Sequence, residues 1–488
     1  MVSGVVLSSC NCFFVCGKRL ISYCLFYSKF SLLMFNQQKS SAGCACLFVF
    51  AENEAVALGP RVNQSGGVVQ MTIHHVHGPG SSLAPQPPVS FSDVLAWDDA
   101  RVKTLNSRLT RKDTRFPKSV LTKKDIRFPK SVSVPLNPGA SIGSGNYYVK
   151  VGFGSPARYY SMIVDTGSSL SWLQCKPCVV YCHVQADPLF DPSASKTYKS
   201  LSCTSSQCSS LVDATLNNPL CETSSNVCVY TASYGDSSYS MGYLSQDLLT
   251  LAPSQTLPGF VYGCGQDSDG LFGRAAGILG LGRNKLSMLG QVSSKFGYAF
   301  SYCLPTRGGG GFLSIGKASL AGSAYKFTPM TTDPGNPSLY FLRLTAITVG
   351  GRALGVAAAQ YRVPTIIDSG TVITRLPMSV YTPFQQAFVK IMSSKYARAP
   401  GFSILDTCFK GNLKDMQSVP EVRLIFQGGA DLNLRPLNVL LQVDEGLTCL
   451  AFAGNNGVAI IGNHQQQTFK VAHDISTARI GFATGGCN

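Results

Sequence analysis

The tetrapeptides Asp165-Thr166-Gly167-Ser168 and Asp368-Ser369-Gly370-Thr371 share one pattern and stand 203 positions apart. Each follows an apolar run, Met162-Ile163-Val164 and Thr365-Ile366-Ile367. Such a run reads as a buried strand ending in a tight loop that presents a carboxylate. A chain carrying this unit twice points to a duplicated fold whose halves face each other across a cleft. Two carboxylates a few ångström apart cannot both ionise cheaply, so they share a proton. One then acts as general base on a water while the other donates to a carbonyl oxygen. Gly167 and Gly370 let the backbone turn and bring amide N–H groups close to the carboxylates. Thr166, Ser168, Ser369 and Thr371 supply short hydroxyls that hold the aspartates and each other.

The alternative, two unrelated Asp-Gly turns, loses ground to a second pair of matched strings. Gly277-Ile278-Leu279-Gly280-Leu281-Gly282 comes after the first aspartate and Ala459-Ile460-Ile461-Gly462-Asn463 after the second. An apolar pair closed by glycine suits a strand crossing directly behind an active-site loop, where a side chain would strike backbone. Repeated in matched order, the strings mark an internal duplication. Trp172 stands seven residues after Asp165, and Tyr234-Gly235-Asp236 lies between the first Asp loop and its echo.

With these residues the chain resembles the pepsin-like aspartic endopeptidases, and among them the plant nepenthesin-like branch, from about Tyr147 to the C-terminus. The strings Asp165-Thr-Gly-Ser-Ser-Leu-Ser-Trp-Leu-Gln-Cys175, Asp368-Ser-Gly-Thr-Val-Ile-Thr-Arg-Leu-Pro377 and Ile461-Gly-Asn-His-Gln-Gln-Gln467 are those of that branch. The resemblance implies a bilobal double β-barrel with the active site between the lobes. It makes Asp165 and Asp368 the catalytic pair. It places Tyr234, with Gly235 and Asp236, on a hairpin flap over the substrate, and Trp172 where its indole N–H bonds that tyrosine. It further implies proteolysis at acid pH on a polypeptide substrate, by a monomer, with no metal or other cofactor and no covalent intermediate. Two other readings stay open. One is a non-catalytic inhibitor or binding protein on the same scaffold, although such proteins lose parts of the two motifs and this chain keeps both. The other is a protease that also binds DNA, since some relatives are nucleoid-associated.

Cysteine usage points to an oxidising compartment. Of 18 cysteines, six precede residue 50: Cys10, Cys12, Cys16, Cys24, Cys44 and Cys46. The remaining twelve fall in the matching region, several in an insertion at about 175–228. An even, dense set of this kind suggests a disulfide-stapled surface insertion. Zinc is the rival reading, because Cys175-x2-Cys178-x3-Cys182 with His183 looks ligand-like, but no second set completes a tetrahedron. Sequence does not dictate connectivity. The resemblance implies Cys175–Cys178, Cys182–Cys264, Cys203–Cys228, Cys208–Cys221, Cys303–Cys487 and Cys408–Cys449.

Short strands dominate the coarse reading: Asn146–Val151, Ser161–Val164, Leu248–Leu251, Gly259–Cys264, Tyr340–Val349, Leu432–Leu434 and Arg479–Ala483. Only Ser287–Phe296 and Ser379–Met392 read as helices. The class is all-β with a few short helices. The length suits two lobes, at 135–325 and 326–488. Gly311-Phe-Leu-Ser-Ile-Gly316-Lys317 approaches a phosphate-binding loop, but Ala318 occupies the magnesium-binding hydroxyl position, so a β-hairpin strand is the better reading.

The first 134 residues are of a different kind, with sixteen Lys and Arg against seven Asp and Glu. The near-repeat Lys112–Val120 and Lys124–Val132 is too short and too charged to form a core. Residues 70–134 resemble a plant prosegment, with Met71-Thr-Ile-His-His-Val-His-Gly-Pro79 as a strand in preference to a metal site. A basic prosegment can pair Lys or Arg side chains with the cleft carboxylates at near-neutral pH and release them as acids protonate. Residues 70–134 are therefore expected to autoinhibit, with removal near Ser133–Gly145. Residues 1–69 are poorly defined. Val2–Gly17 is apolar enough for a short signal segment but lacks a basic start, and Lys29 interrupts Leu20–Phe35, so no membrane span is assigned. The disulfide set favours secretion or the vacuole, with the chloroplast as the alternative. The overall charge of +16 permits nucleic-acid binding, yet its strongest basic run lies in the removable segment, so DNA is not the expected partner.

Overall fold

In the computed structural model the described residues are 13–16, 19–22, 69–76, 81–83, 90–110, 146–234, 238–306, 310–321 and 324–487. The chain divides into two compact units, 1–58 and 59–488. The described part of the first is an antiparallel pair of strands, Phe13–Cys16 and Arg19–Ser22. The second, which carries both Asp-Gly loops, is mostly β with a few short helices.

The duplication is visible as strand pairing. In the first half, strand Arg158–Asp165 delivers Asp165. It runs parallel to Gly277–Gly280, which lies antiparallel to Trp172–Gln174, itself parallel to Gln255–Asp269. The second half repeats the order: Thr365–Ile367 beside Ala459–Ile461, then Thr374–Pro377, then Phe452–Asn455. Both aspartate strands and both echo strands are buried, which is why they read as unbroken apolar runs. Glycine closes each echo strand because backbone crosses there. A Cβ on Gly280 would lie 2.4 Å from the Ser169 carbonyl oxygen, and one on Gly462 would lie 2.6 Å from that of Val372.

A long sheet ties the halves together. Lys326–Pro329, Arg479–Ala483, Lys470–Asp474, Ala299–Cys303 and Gly311–Ile315 follow one another antiparallel. Gly311–Ile315 is thus a strand, not a phosphate loop. The next strand is Val69–His75, from far upstream in sequence, which pairs with Gly311–Ile315 on one side and with Tyr147–Phe153 on the other. Its alternate residues Val69, Met71 and Ile73 enter the main core.

One element departs from the sequence expectation of only two helices: Phe91–Thr110 is a 20-residue α-helix. Ser90 starts it, its hydroxyl accepting the Asp93 N–H at 3.2 Å and donating to the Asp93 carboxylate at 2.7 Å, an N-terminal cap. Val94 and Leu95 pack with Val372, Ile373 and Leu405 of the second half. Val102 and Leu105 pack with Leu339, Phe341, Ile366 and Ile460. Among the described residues, no helix is long and apolar enough to cross a membrane.

The disulfides correct four of the six implied pairings. Cys303–Cys487 and Cys408–Cys449 form as the resemblance implies, the latter between directly opposed strand positions. Cys175 bonds Cys264, not Cys178: parallel pairing sets Leu173 opposite Cys264, so Cys175, two residues on, reaches it diagonally with the Cα atoms 5.4 Å apart. Cys182 is left to bond Cys178 across a short loop. Cys208 sits on the buried side of the Ser206–Ser209 helix, against buried Cys228, and bonds it. Cys203 then bonds Cys221. The cysteines weighed as zinc ligands are all in disulfides, and His183 is buried, its Nε2 bonded to the Ala275 carbonyl.

Candidate active site

Asp165 and Asp368 sit at the ends of equivalent strands, each about 1% exposed. Each loop folds back on its own aspartate: the Gly167 N–H donates to Asp165 Oδ1 and the Gly370 N–H to Asp368 Oδ1, both at 3.0 Å. The loops also lock to each other. The Thr166 N–H donates to Ser369 Oγ at 3.2 Å, and the Ser369 N–H to Thr166 Oγ1 at 2.9 Å. Ser369 Oγ continues to the Val164 carbonyl. The glycines are packing requirements: a Cβ on Gly370 would come within 2.5 Å of Asp165 Oδ1, and one on Gly167 within 2.9 Å of Asp368 Oδ1. Each loop thus presses against the other's carboxylate.

The pair is not symmetric. Thr371 Oγ1 donates to Asp368 Oδ2 at 2.7 Å. Among the described residues the matching Ser168 hydroxyl makes no such bond, and Asp165 Oδ2 has no hydrogen-bond partner. That oxygen is the one open to a water or a hydroxyl.

Of the flap residues, Tyr234 is described, while Gly235 and Asp236 lie outside the described residues. Strands Val227–Ser233 and Tyr239–Ala252 form the hairpin, and the Tyr234 N–H donates to the Ser238 carbonyl at 2.8 Å. The Trp172 indole N–H donates to Tyr234 Oη at 2.6 Å. Burial pushes the Tyr234 phenol well above its ordinary value, so it remains a neutral hydroxyl.

The helix Phe91–Thr110 lies in the cleft, and Arg101 reaches both aspartates. Its Nη2 donates to Asp165 Oδ1 at 2.8 Å and to Asp368 Oδ2 at 3.0 Å, and its Nε donates to Asp368 Oδ2 at 3.1 Å. Burial alone would lower the guanidinium value, but the two carboxylates more than offset this and the net shift is upward. Arg101 therefore stays charged. Three residues earlier on the same helix face, Asp98 is fully buried. It accepts N–H bonds from Val372 and Ile373 and bonds Arg375 Nη2 at 2.9 Å. Asn106 exchanges side-chain hydrogen bonds with Asn455. A basic side chain on the carboxylates is the expectation for the prosegment, and Arg101 is the residue that fills it. Asp98 and Arg375 carry no such expectation. The available signal was the cap Ser90-x-x-Asp93 followed by apolar residues at 94, 95, 102 and 105, with two charges set into that apolar face.

Comparison with known proteins places this architecture. Family models described as xylanase inhibitor N-terminal and xylanase inhibitor C-terminal match residues 147–317 and 339–484. An aspartyl protease family protein of Arabidopsis thaliana is 40% identical over 445 residues, covering 90% of this chain and 91% of the relative. The chain belongs to the plant branch of the pepsin-like aspartyl protease family. The aspartic proteinase nepenthesin-2 of Nepenthes gracilis is 35% identical over 71% of this aspartyl protease homologue and 78% of its own length. Among solved structures, basic 7S globulin from soybean superposes with a TM-score of 0.56 at 24% identity, covering 70% of this chain and 94% of the globulin. That likeness speaks for the fold alone.

Proposed function

We propose that this chain is the precursor of an acid-acting aspartic endopeptidase, with Asp165 and Asp368 as its catalytic pair. The observation that carries this reading is that one guanidinium nitrogen, Arg101 Nη2, bonds carboxylates from both duplicated loops at once. A water at that position, once the helix has left, contacts both. One carboxylate takes a proton from it while the other, protonated, donates to the scissile carbonyl oxygen, and the resulting hydroxyl adds to the carbonyl carbon. The substrate is an extended polypeptide held beneath Tyr234, with the Trp172 bond fixing the tyrosine ring.

The helix Phe91–Thr110 and the strand Val69–His75 together form the inhibitory prosegment. Cutting the chain in the interval 111–145, around Ser133–Gly145 and outside the described residues, separates them from the enzyme body. The disulfides support maturation in an oxidising compartment, the secretory route to the apoplast or vacuole. A binding protein without activity on the same scaffold is the alternative, but both motifs are complete here and their carboxylates converge.

The test is to purify the processed form and follow hydrolysis of a denatured protein from acid to neutral pH, with and without a statine-type inhibitor. Acid-optimal, statine-sensitive cleavage is expected. Folded, processed protein that cuts nothing across that range overturns the reading.

A further inference from the structure

Arg375 is the largest charged side chain in the interior, about 1% exposed, and it lies on the strand that follows the Asp368 loop. Among the described residues its two carboxylate partners, Asp98 at 2.9 Å and Asp99 at 3.7 Å, both belong to the helix Phe91–Thr110. Among those residues its Nε has no hydrogen-bond partner. The Asp98 carboxylate is held by three donors at once: the N–H groups of Val372 and Ile373 and the Arg375 guanidinium. This is a built carboxylate receptor, with two backbone amides and one cation, occupied by an acidic residue of the same chain. Nothing in the Asp368 loop requires it, because Gly370, Thr371 and Ser369 already satisfy that loop's own hydrogen bonds.

Departure of the helix removes both partners. A buried guanidinium left unpaired costs several kcal/mol, so the emptied pocket favours whatever carboxylate reaches it. Asp98 shares its helix with Arg101, which contacts both aspartates, so the pocket it vacates faces the space the helix leaves in the cleft. Asp98 and Arg101 are three residues apart on one helix, roughly 4.5 Å along its axis, and Arg101 marks the catalytic centre. An extended peptide advances about 3.3 Å per residue, so a side chain reaching the pocket lies within about two residues of the bond cut.

Resting on the protease reading, we propose that Arg375, with the Val372 and Ile373 amides, forms a substrate subsite selecting an aspartate or glutamate side chain, for which Asp98 is the internal stand-in. The processed enzyme prefers peptides with one acidic residue close to the scissile bond. Arg375 is then a specificity determinant, and the inhibitory helix mimics substrate in its charge pattern.

The experiment uses enzyme processed from the full chain and paired peptides differing only by Asp against Asn, or Glu against Gln, at each position within three residues of the cut. It is run about one pH unit above the ordinary carboxylate values. One position is expected to favour the acid by about tenfold or more in kcat/KM. In Arg375→Gln the ratio at that position should collapse to near one. The wild-type comparison decides even where that variant does not accumulate: no acidic preference at any position overturns the proposal. A ratio kept in Arg375→Gln does so equally. Hydrolysis of a denatured protein by the same wild-type preparation tests the protease reading separately, so cleavage without acidic preference sinks only the subsite.

Discussion

Thr166 and Ser369 exchange hydrogen bonds across the two halves of the molecule, each accepting through its hydroxyl the backbone N–H of the other, at 2.9 and 3.2 Å. This exchange fixes the spacing of the flanking aspartates, since each hydroxyl belongs to the residue next to one of them. Replacing Thr166 with Val leaves the buried Ser369 N–H without its acceptor, at a cost of about 1–3 kcal/mol. Thr166→Val is expected to lower the thermal midpoint and to reduce kcat more than it raises KM. Steady-state kinetics of the processed variant checks this.

Arg101 pairs with both carboxylates. Removing it leaves two buried acids facing an uncharged side chain, which destabilises helix docking by roughly 3–5 kcal/mol. Arg101→Gln precursor is expected to process itself at a pH about one unit or more above wild type. Gel analysis of conversion across a pH series reads this out.

His74, on the inserted strand, stacks on Tyr148 with ring centroids 5.1 Å apart. Burial, and then Lys150, hold its imidazole below the ordinary value. The released strand therefore binds a proton more readily than the docked one, and docking weakens as pH falls below about 6.5. Asp98 pulls the other way: burial raises its carboxyl in spite of Arg375, so docking through Asp98 strengthens as pH falls. His74→Phe removes only the first effect. Its precursor should need a lower pH for conversion than wild type, which the same gel series measures.

His473 is enclosed by Phe300, Tyr302 and Tyr340, stacked on Phe300 at 4.5 Å, and among the described residues neither ring nitrogen has a hydrogen-bond partner. Burial takes its value down to about 3. The native imidazole stays neutral while the unfolded one charges below about 6.5, so stability drops as pH falls from 6.5 toward 3. Each unit of difference is worth about 1.4 kcal/mol. His473→Phe should flatten that acid limb by a few kcal/mol. Urea unfolding at pH 7 and pH 4 compares the two.

The duplicated halves were legible because buried active-site strands leave short, unambiguous apolar runs. Ser287 caps the helix Met288–Phe296, as its sequence suggests, and Arg479–Ala483 matches to the residue. The helix Phe91–Thr110 was not legible. Asp98 and Arg101 interrupt its apolar face, and the partners that make those charges tolerable, Arg375 and the two loop aspartates, lie more than sixty residues away in sequence. The cysteine pairing failed for a related reason. Parallel pairing between Trp172–Gln174 and Gln255–Asp269 brings Cys175 within reach of Cys264, and local spacing carries no trace of that register. Gly235 and Asp236, named with the flap, lie outside the described residues.

Two carboxylates from separate halves activating one water is the central claim, and the most direct measurement compares full-length wild type with Asp165→Asn and Asp368→Asn. All three are incubated at acid pH with a denatured protein, after circular dichroism and thiol titration have established that they are folded and disulfide-bonded. The predicted result is cleavage by wild type alone, with neither variant processing itself nor cutting substrate. Hydrolysis by both variants at rates near wild type would contradict it.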